Sequence, residues 1–279
     1  MTKERKIQVV TGGTSGMGLA TAKAIGKFGP VLIGGRSEKR LANALEELKT
    51  AGVEAYGKTC DISNKESLEE FAKYASELGT IENVINAAGV DSGGPDLILG
   101  VNVLGTIYVT ETFLPYMNDA KLIHFSSITG YFYMPDADEK ETWNNPNDPN
   151  LLSKIKSHLE SKDVPAGMAH LGIDYLYYSA SKSFTIYYTK ANTARFGKHN
   201  SQIFSIAPGA FDTPMLREQS DPAAIEKIAR VSAYGRLGEA GEMATFISHL
   251  LEPGQKCLTG CDLVFDSGKL AMSTVKQLA

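Results

Sequence analysis

Short apolar, β-branched runs alternate with longer amphipathic stretches along almost the whole 279-residue chain. The runs are Ile7–Val10, PVLIGG from Pro30, VEAYGKT from Val53, IENVINAAG from Ile81, KLIHFSS from Lys121, SQIFSIAPG from Ser201 and DLVFDSG from Asp262. Helical patterns separate them, among them Ser37–Ala51, about Asp96 to Met117 and about Tyr175 to Phe196. Strands that are apolar throughout, rather than in alternation, are buried on both faces, and helices between them supply the crossovers that parallel pairing needs. Seven such runs predict one doubly wound α/β domain over residues 1–279, with a seven-stranded parallel sheet flanked by helices on both faces. No internal repeat or linker divides it. Ser63 with Glu66 has capping-box spacing, and Asp221-Pro222 sets an N-cap acid before a first-turn proline.

The rhythm breaks once, from about 131 to 174. Its first part, PDADEKETWNNPNDPN, is polar and punctuated by proline. LLSKIKSHLESK follows, with Leu151, Ile155 and Leu159 on one helical stripe. The insertion lies between a strand end and the next helix, on the edge where open α/β sheets bind ligands. Two readings stand: a lid or substrate wall, or a surface insertion at an oligomer contact. Tyr131, Tyr133, Trp143 and Met168 would line a pocket for a flat apolar substrate, or simply pack. His158 and His170 read as surface histidines.

The net charge of −4 argues against a nucleic-acid partner. The N-terminus lacks a signal-peptide pattern, and no apolar stretch is expected to span a membrane. Cys60, Cys257 and Cys261 are too few for a disulfide framework, and no pair completes a zinc set, so no metal is expected. Reduced thiols fit a cytoplasmic protein.

Directly after the first run comes VVTGGTSGMG, with Gly12, Gly16 and Gly18 around Thr14, Ser15 and Met17. A glycine turn between a strand and a helix lets backbone approach a pyrophosphate, whose charge sits at the helix N-terminus. The second strand ends in LIGGRSEKR. Gly34 and Gly35 stand where an acid usually holds a ribose 2′-hydroxyl, and Arg36 and Ser37 follow, with Arg40 a turn on. An arginine fork suits a 2′-phosphate, so NADP(H) is expected over NAD(H).

In order along the chain, TGGTSGMG, CDI at Cys60–Ile62, NAAG at Asn86–Gly89, VNVLG, FSS, Tyr178-x-x-x-Lys182, PGAFDTPM and DSG resemble the short-chain dehydrogenase/reductase family, over about Ile7 to Gly268. The resemblance implies a Rossmann-type oxidoreductase interconverting secondary alcohols and ketones. It implies Asn102, Ser127, Tyr178 and Lys182 as the catalytic set. Asp61 and Ile62 would lie by the adenine. Asn86, Ala87 and Gly89 would support the cofactor, and Pro208, Gly209, Phe211 and Thr213 would hold its nicotinamide end. Ser127 rather than Ser126 is favoured by the family's S-x-x-G pattern, and Ser126 would face away into packing or a hydrogen bond. Tyr178 stands 51 positions after Ser127. That spacing, with a short NAAG-to-asparagine segment, is similar to the bacterial 3α-hydroxysteroid dehydrogenase/carbonyl reductase branch. It implies a bulky apolar substrate such as a hydroxysteroid or bile acid, the alternative being a small or lipid-derived carbonyl. A non-catalytic NADP(H) sensor would not need all four residues. Family members commonly form homodimers or homotetramers.

The chemistry explains the four. A free tyrosine, pKa near 10, is a poor base at neutral pH. Residues i and i+4 share a helix face, so Lys182 can stand beside Tyr178. A cation about 6 Å away at an effective dielectric near 20 is worth roughly 3 kcal/mol, which is expected to lower the tyrosine pKa by about two units. Tyr177 faces away from Lys182, and Tyr175 lies two turns off.

Overall fold

The computed structural model describes residues 5–162 and 172–275. Its sheet has seven parallel strands: β1 (Lys6–Thr11), β2 (Val31–Gly35), β3 (Ala55–Thr59), β4 (Thr80–Asn86), β5 (Lys121–Phe125), β6 (Gln202–Pro208) and, after two short strands, β9 (Asp262–Phe265). The short pair, β7 (Phe211–Asp212) and β8 (Gly238–Glu239), forms its own small ladder. The large sheet runs β3-β2-β1-β4-β5-β6-β9. Its order reverses between β1 and β4, which opens a crevice at the carboxyl ends of those strands.

Alternate strand residues feed opposite faces. Val9, Val84 and Leu122 pack on one side against Leu68, Phe71 and Phe113. Val10, Ile85 and Ile123 pack on the other against Leu19, Leu48 and Met243. Each strand is therefore apolar throughout because each face meets helices.

Three expectations change. The helix Lys65–Leu78 is capped by Asn64, whose side chain accepts from Ser67 N at 2.8 Å; Ser63 instead bonds Asp61 Oδ1, its hydroxyl at 2.7 Å. The helical run Pro95–Tyr116 is long and apolar enough to cross a membrane by length and composition. Burial of 67% of its apolar window within the fold explains that composition.

The insertion is the third. Its described part forms the helices Ala137–Trp143 and Leu151–Ser161. Trp143, Leu151, Ile155 and Leu159 are buried against Ile98, Val103 and Ile107 of the Pro95–Tyr116 run and Tyr177, Phe184 and Tyr188 of the helix Ile173–Ala191. Trp143 meets Phe184 edge-on, ring centroids 5.5 Å apart. Trp143 and Tyr133 are thus core residues, and Tyr131 turns its hydroxyl to Asp262 at 2.8 Å. Met168 and His170 lie outside the described residues. Asp136, Glu139 and His158 come close enough to hold a metal ion. Glu139 is already engaged by Lys162 and the Tyr133 hydroxyl, and His158 by Asp136 at 2.9 Å, so the group acts as a charged staple for the insertion.

Candidate active site

The crevice begins at the glycine turn. Gly12 has φ +68°, and a Cβ there would fall 2.6 Å from Ala88 N. A Cβ on Gly18 would fall 2.2 Å from Gly12 O, so the turn can fold only with glycine at both positions. It delivers the first turn of the helix Gly16–Ile25 to a groove of about 490 Å³. Thr14, Ser15 and Met17 line the groove on one side, and Asp61, Ile62, Ala87 and Gly89 on the other. At the end beside β2 stand Arg36, Ser37 and Arg40, with Glu218 Oε1 at 3.6 Å from Arg40. Ser37 caps the helix Glu38–Thr50 by accepting from Arg40 N at 3.3 Å. A dinucleotide fits this groove: glycines leave room for its pyrophosphate, a helix N-terminus faces it, and cations lie at one end.

Asn86 does not line the groove. It is buried, with Oδ1 2.7 Å from Thr11 Oγ1 and Nδ2 3.1 Å from His124 Nδ1, so it ties β1 to β4 and β5 and supports the crevice from within. Burial pushes His124 down to about 3, with the charge of Lys182 adding to the shift, which keeps the imidazole neutral.

Beyond Gly89 the groove continues into a chamber of about 180 Å³. Ser127, Tyr178 and Lys182 line it, with Pro208, Gly209, Phe211 and Thr213 opposite. Ser127 follows β5 and accepts a bond from Thr129 N at 3.2 Å. Tyr178 stands beside Ser127 in the lining of the chamber. Lys182 Nζ lies 5.6 Å from the Tyr178 ring centre and donates to Phe125 O at 2.8 Å. A Cβ on Gly89 would sit 3.3 Å from both Lys182 Nζ and Asn102 Oδ1, so glycine lets these side chains converge.

Asn102 is buried on a π-helical turn, Gly100–Leu104, interrupting the helical run. Its side chain accepts from Val90 N at 3.0 Å and donates to Val90 O at 2.7 Å, with Ser181 Oγ also 3.0 Å away. It fixes the chain at Val90, beside the chamber, to the helix bearing Tyr178. Tyr177 is buried in the core and Tyr175 is half-buried, leaving Tyr178 as the tyrosine of that helix lining the chamber.

The expected depression of the tyrosine pKa does not appear. Burial pushes Tyr178 up to about 12, opposed by the neighbouring Ser127 side chain. Burial also pulls Lys182 down to about 8, resisted by the charges of Asp91 and Asp262. Desolvation is the largest cause for both groups, which leave water together. Asp91 and Ser126 line the chamber, and Asp262 lies behind it. Sequence reading passed over both acids, since neither stands in a recognisable motif.

A short chain dehydrogenase family model matches residues 6–137, and a model described as enoyl-(acyl carrier protein) reductase matches residues 166–269. A putative ketoacyl reductase of Streptomyces coelicolor is 27% identical over 92% of this chain and 94% of its own. A short-chain dehydrogenase/reductase of Alternaria brassicicola, bsc3, is 26% identical over 93% and 94%. Among solved structures, an actinorhodin polyketide ketoreductase variant crystallised with NADPH aligns with TM-score 0.74 and 25% identity, over 95% of this chain and 97% of that one. A Serratia marcescens short-chain dehydrogenase/reductase shares the fold, with TM-score 0.74 and 23% identity over 96% and 98%. Sheet order, glycine turn and the matches to both halves of the sequence agree: this chain belongs to the short-chain dehydrogenase/reductase family and is an oxidoreductase.

Proposed function

We propose that the chain reduces a ketone to a secondary alcohol with NADPH, through Tyr178, Ser127, Lys182 and Asn102. The observation that carries this reading is that Ser127, Tyr178 and Lys182 together line the chamber continuing the cofactor groove, with Lys182 one helical turn on from Tyr178. When bound, NADPH supplies the hydride. Tyr178 Oη gives its proton to the carbonyl oxygen as that oxygen gains charge. Ser127 orients the same oxygen by hydrogen bonding. Lys182, whose Nζ lies 5.6 Å from the Tyr178 ring centre, stabilises the tyrosinate left behind by its positive charge. Asn102 holds the loop at Val90 against the helix of Tyr178 and so keeps the chamber in shape.

The direction follows from the proton. With its pKa pushed up to about 12, Tyr178 is protonated at neutral pH, the form that reduction consumes. Alcohol oxidation would need the tyrosinate that burial disfavours. Lys182, pulled down to about 8, is charged below that pH and loses its charge above it. Reduction is therefore sustained at neutral pH and declines as pH rises through about 8.

A chamber of about 180 Å³ is smaller than the roughly 300–1,000 Å³ of sites that enclose a whole drug-sized ligand. It suits the carbonyl end of a small or acyl-chain ketone whose remainder lies outside, in keeping with relatives named as ketoacyl reductases. Phe211, Met215 and Leu216 give it an apolar wall, which keeps keto-steroids and keto-bile acids as a second substrate class.

The test is NADPH oxidation across β-ketoacyl thioesters, simple ketones, keto-steroids and keto-bile acids, with NADH in parallel. The highest kcat/KM is expected on the first two classes; fastest turnover of keto-steroids would overturn the small-carbonyl assignment. Arg36→Ala is expected to cut the NADPH-over-NADH preference by about tenfold or more, the worth of a charge-assisted contact. An unchanged ratio would remove Arg36 from 2′-phosphate recognition.

A further inference from the structure

Ser127 sits on a turn whose two flanks reach one carboxylate. Just before it, Ser126 Oγ lies 2.6 Å from Asp262 Oδ1 and 2.8 Å from Ile206 O. Four residues after it, the Tyr131 hydroxyl donates to Asp262 Oδ2 at 2.8 Å. Ser205, paired with Asp262 across β6 and β9, donates its hydroxyl to Oδ1 at 2.5 Å. Both carboxylate oxygens are thus taken by hydroxyls from β6 and from either side of Ser127. Ser126 and Ser205 are buried, so these bonds are sheltered from water.

The turn is pressed from its other side as well. A Cβ on Gly130 would fall 2.8 Å from the Lys182 carbonyl carbon and from Ser183 N, so the turn packs directly on the backbone of the lysine helix. A β-strand needs no acid at its first residue, and a carboxylate at a half-buried position costs desolvation unless its oxygens are satisfied.

We propose that Asp262 is a positioning residue for the reduction: its carboxylate clamps the Ser126–Tyr131 turn and thereby sets where Ser127 meets the substrate oxygen. This rests on the reductase reading above. The carboxylate also acts through charge. Lys182 feels Asp262 on β9 and Asp91 on the loop after β4, both favouring its charged form. Tyr178 on its own helix and His124 on β5 also stand near it, and both are neutral at pH 7.

Two variants separate clamp from charge. The double variant Ser126→Ala with Tyr131→Phe removes two arms and keeps the carboxylate. Asp262→Asn keeps the side-chain shape but removes the charge and one of the two accepting oxygens, and the alkaline limb reads the charge. For each, the measurements are kcat and KM for ketone reduction across pH 6–10, NADPH binding, and amide hydrogen exchange over residues 126–132. The double variant is expected to lower kcat about ten- to a hundredfold, the cost of a small misplacement. KM and NADPH binding should stay within about threefold, exchange over 126–132 should rise, and the alkaline limb should not move. Asp262→Asn is expected to lower kcat and move the limb to lower pH, because Lys182 then loses its proton more readily. Asp262→Glu should return the limb to its wild-type position. Wild-type kcat and exchange in the first two variants would overturn the proposal. So would losses that only track the folded fraction, with the limb unmoved in Asp262→Asn. Should Tyr178→Phe turn over at the wild-type rate, the reductase mechanism fails instead, and exchange over 126–132 still decides whether the clamp exists.

Discussion

Tyr178→Phe is expected to lower kcat for ketone reduction by about a thousandfold, within the range that general acid catalysis contributes. The substitution removes one oxygen from a ring held by its helix, so NADPH affinity should stay within about twofold. Steady-state rates and a fluorescence titration of NADPH check the two halves separately. A large loss of kcat with intact cofactor binding supports the assignment, because the lost atom is the one proposed to carry the proton. Retained turnover would mean that another group delivers the proton. Tyr175 is the nearest candidate on the helix, half-buried and two turns before Lys182.

The largest expected effect on stability lies in the insertion. Trp143→Ala should destabilise the protein by about 3–5 kcal/mol, as deletion of a large buried aromatic does. Trp143 is 2% exposed and packs edge-on against Phe184, and against Tyr187 with ring centroids 5.6 Å apart. Those rings belong to the helix that carries Tyr178 and Lys182, so the insertion braces the active-site helix from behind. Equilibrium denaturation measures the loss. A change below about 1 kcal/mol together with a raised substrate KM would place Trp143 in the substrate wall instead.

The same packing bears on assembly. The insertion lays its apolar stripe over the helical runs Pro95–Tyr116 and Ile173–Ala191, so that stripe is buried within the chain rather than offered to a second copy.

Much of this was legible in the sequence because it depends on local chemistry. Continuous apolar runs mark strands buried on both faces, and Gly12 and Gly18 mark a turn that tolerates no Cβ. Tyr178 and Lys182 share a helix face at any i, i+4 spacing. What escaped depends on tertiary context. Asn102 lies on a π-turn, and a π-turn has no composition that distinguishes VNVLG from ordinary helix. Asn64 outcompetes Ser63 as a cap because Ser63 is drawn to Asp61, a choice made in three dimensions. Asp136 with Glu139 did carry a readable capping-box spacing, and it opens the first helix of the insertion. Asp262 reads as the polar start of a strand, and nothing local announces the hydroxyls that gather on it. The sign of the Tyr178 shift was missed because the i+4 cation was weighed without the desolvation that Tyr178 and Lys182 share.

Hydride and proton arrive at the same ketone in this account, and isotope transfer tests that directly. Incubation with NADPH deuterated at the transferring position of the nicotinamide, followed by mass spectrometry of the product, should place one deuterium on the carbinol carbon. The label should appear with the wild-type protein and accumulate about a thousandfold more slowly with Tyr178→Phe. NADPH oxidation that yields no labelled alcohol, or equal labelling by the variant, would contradict ketone reduction through Tyr178.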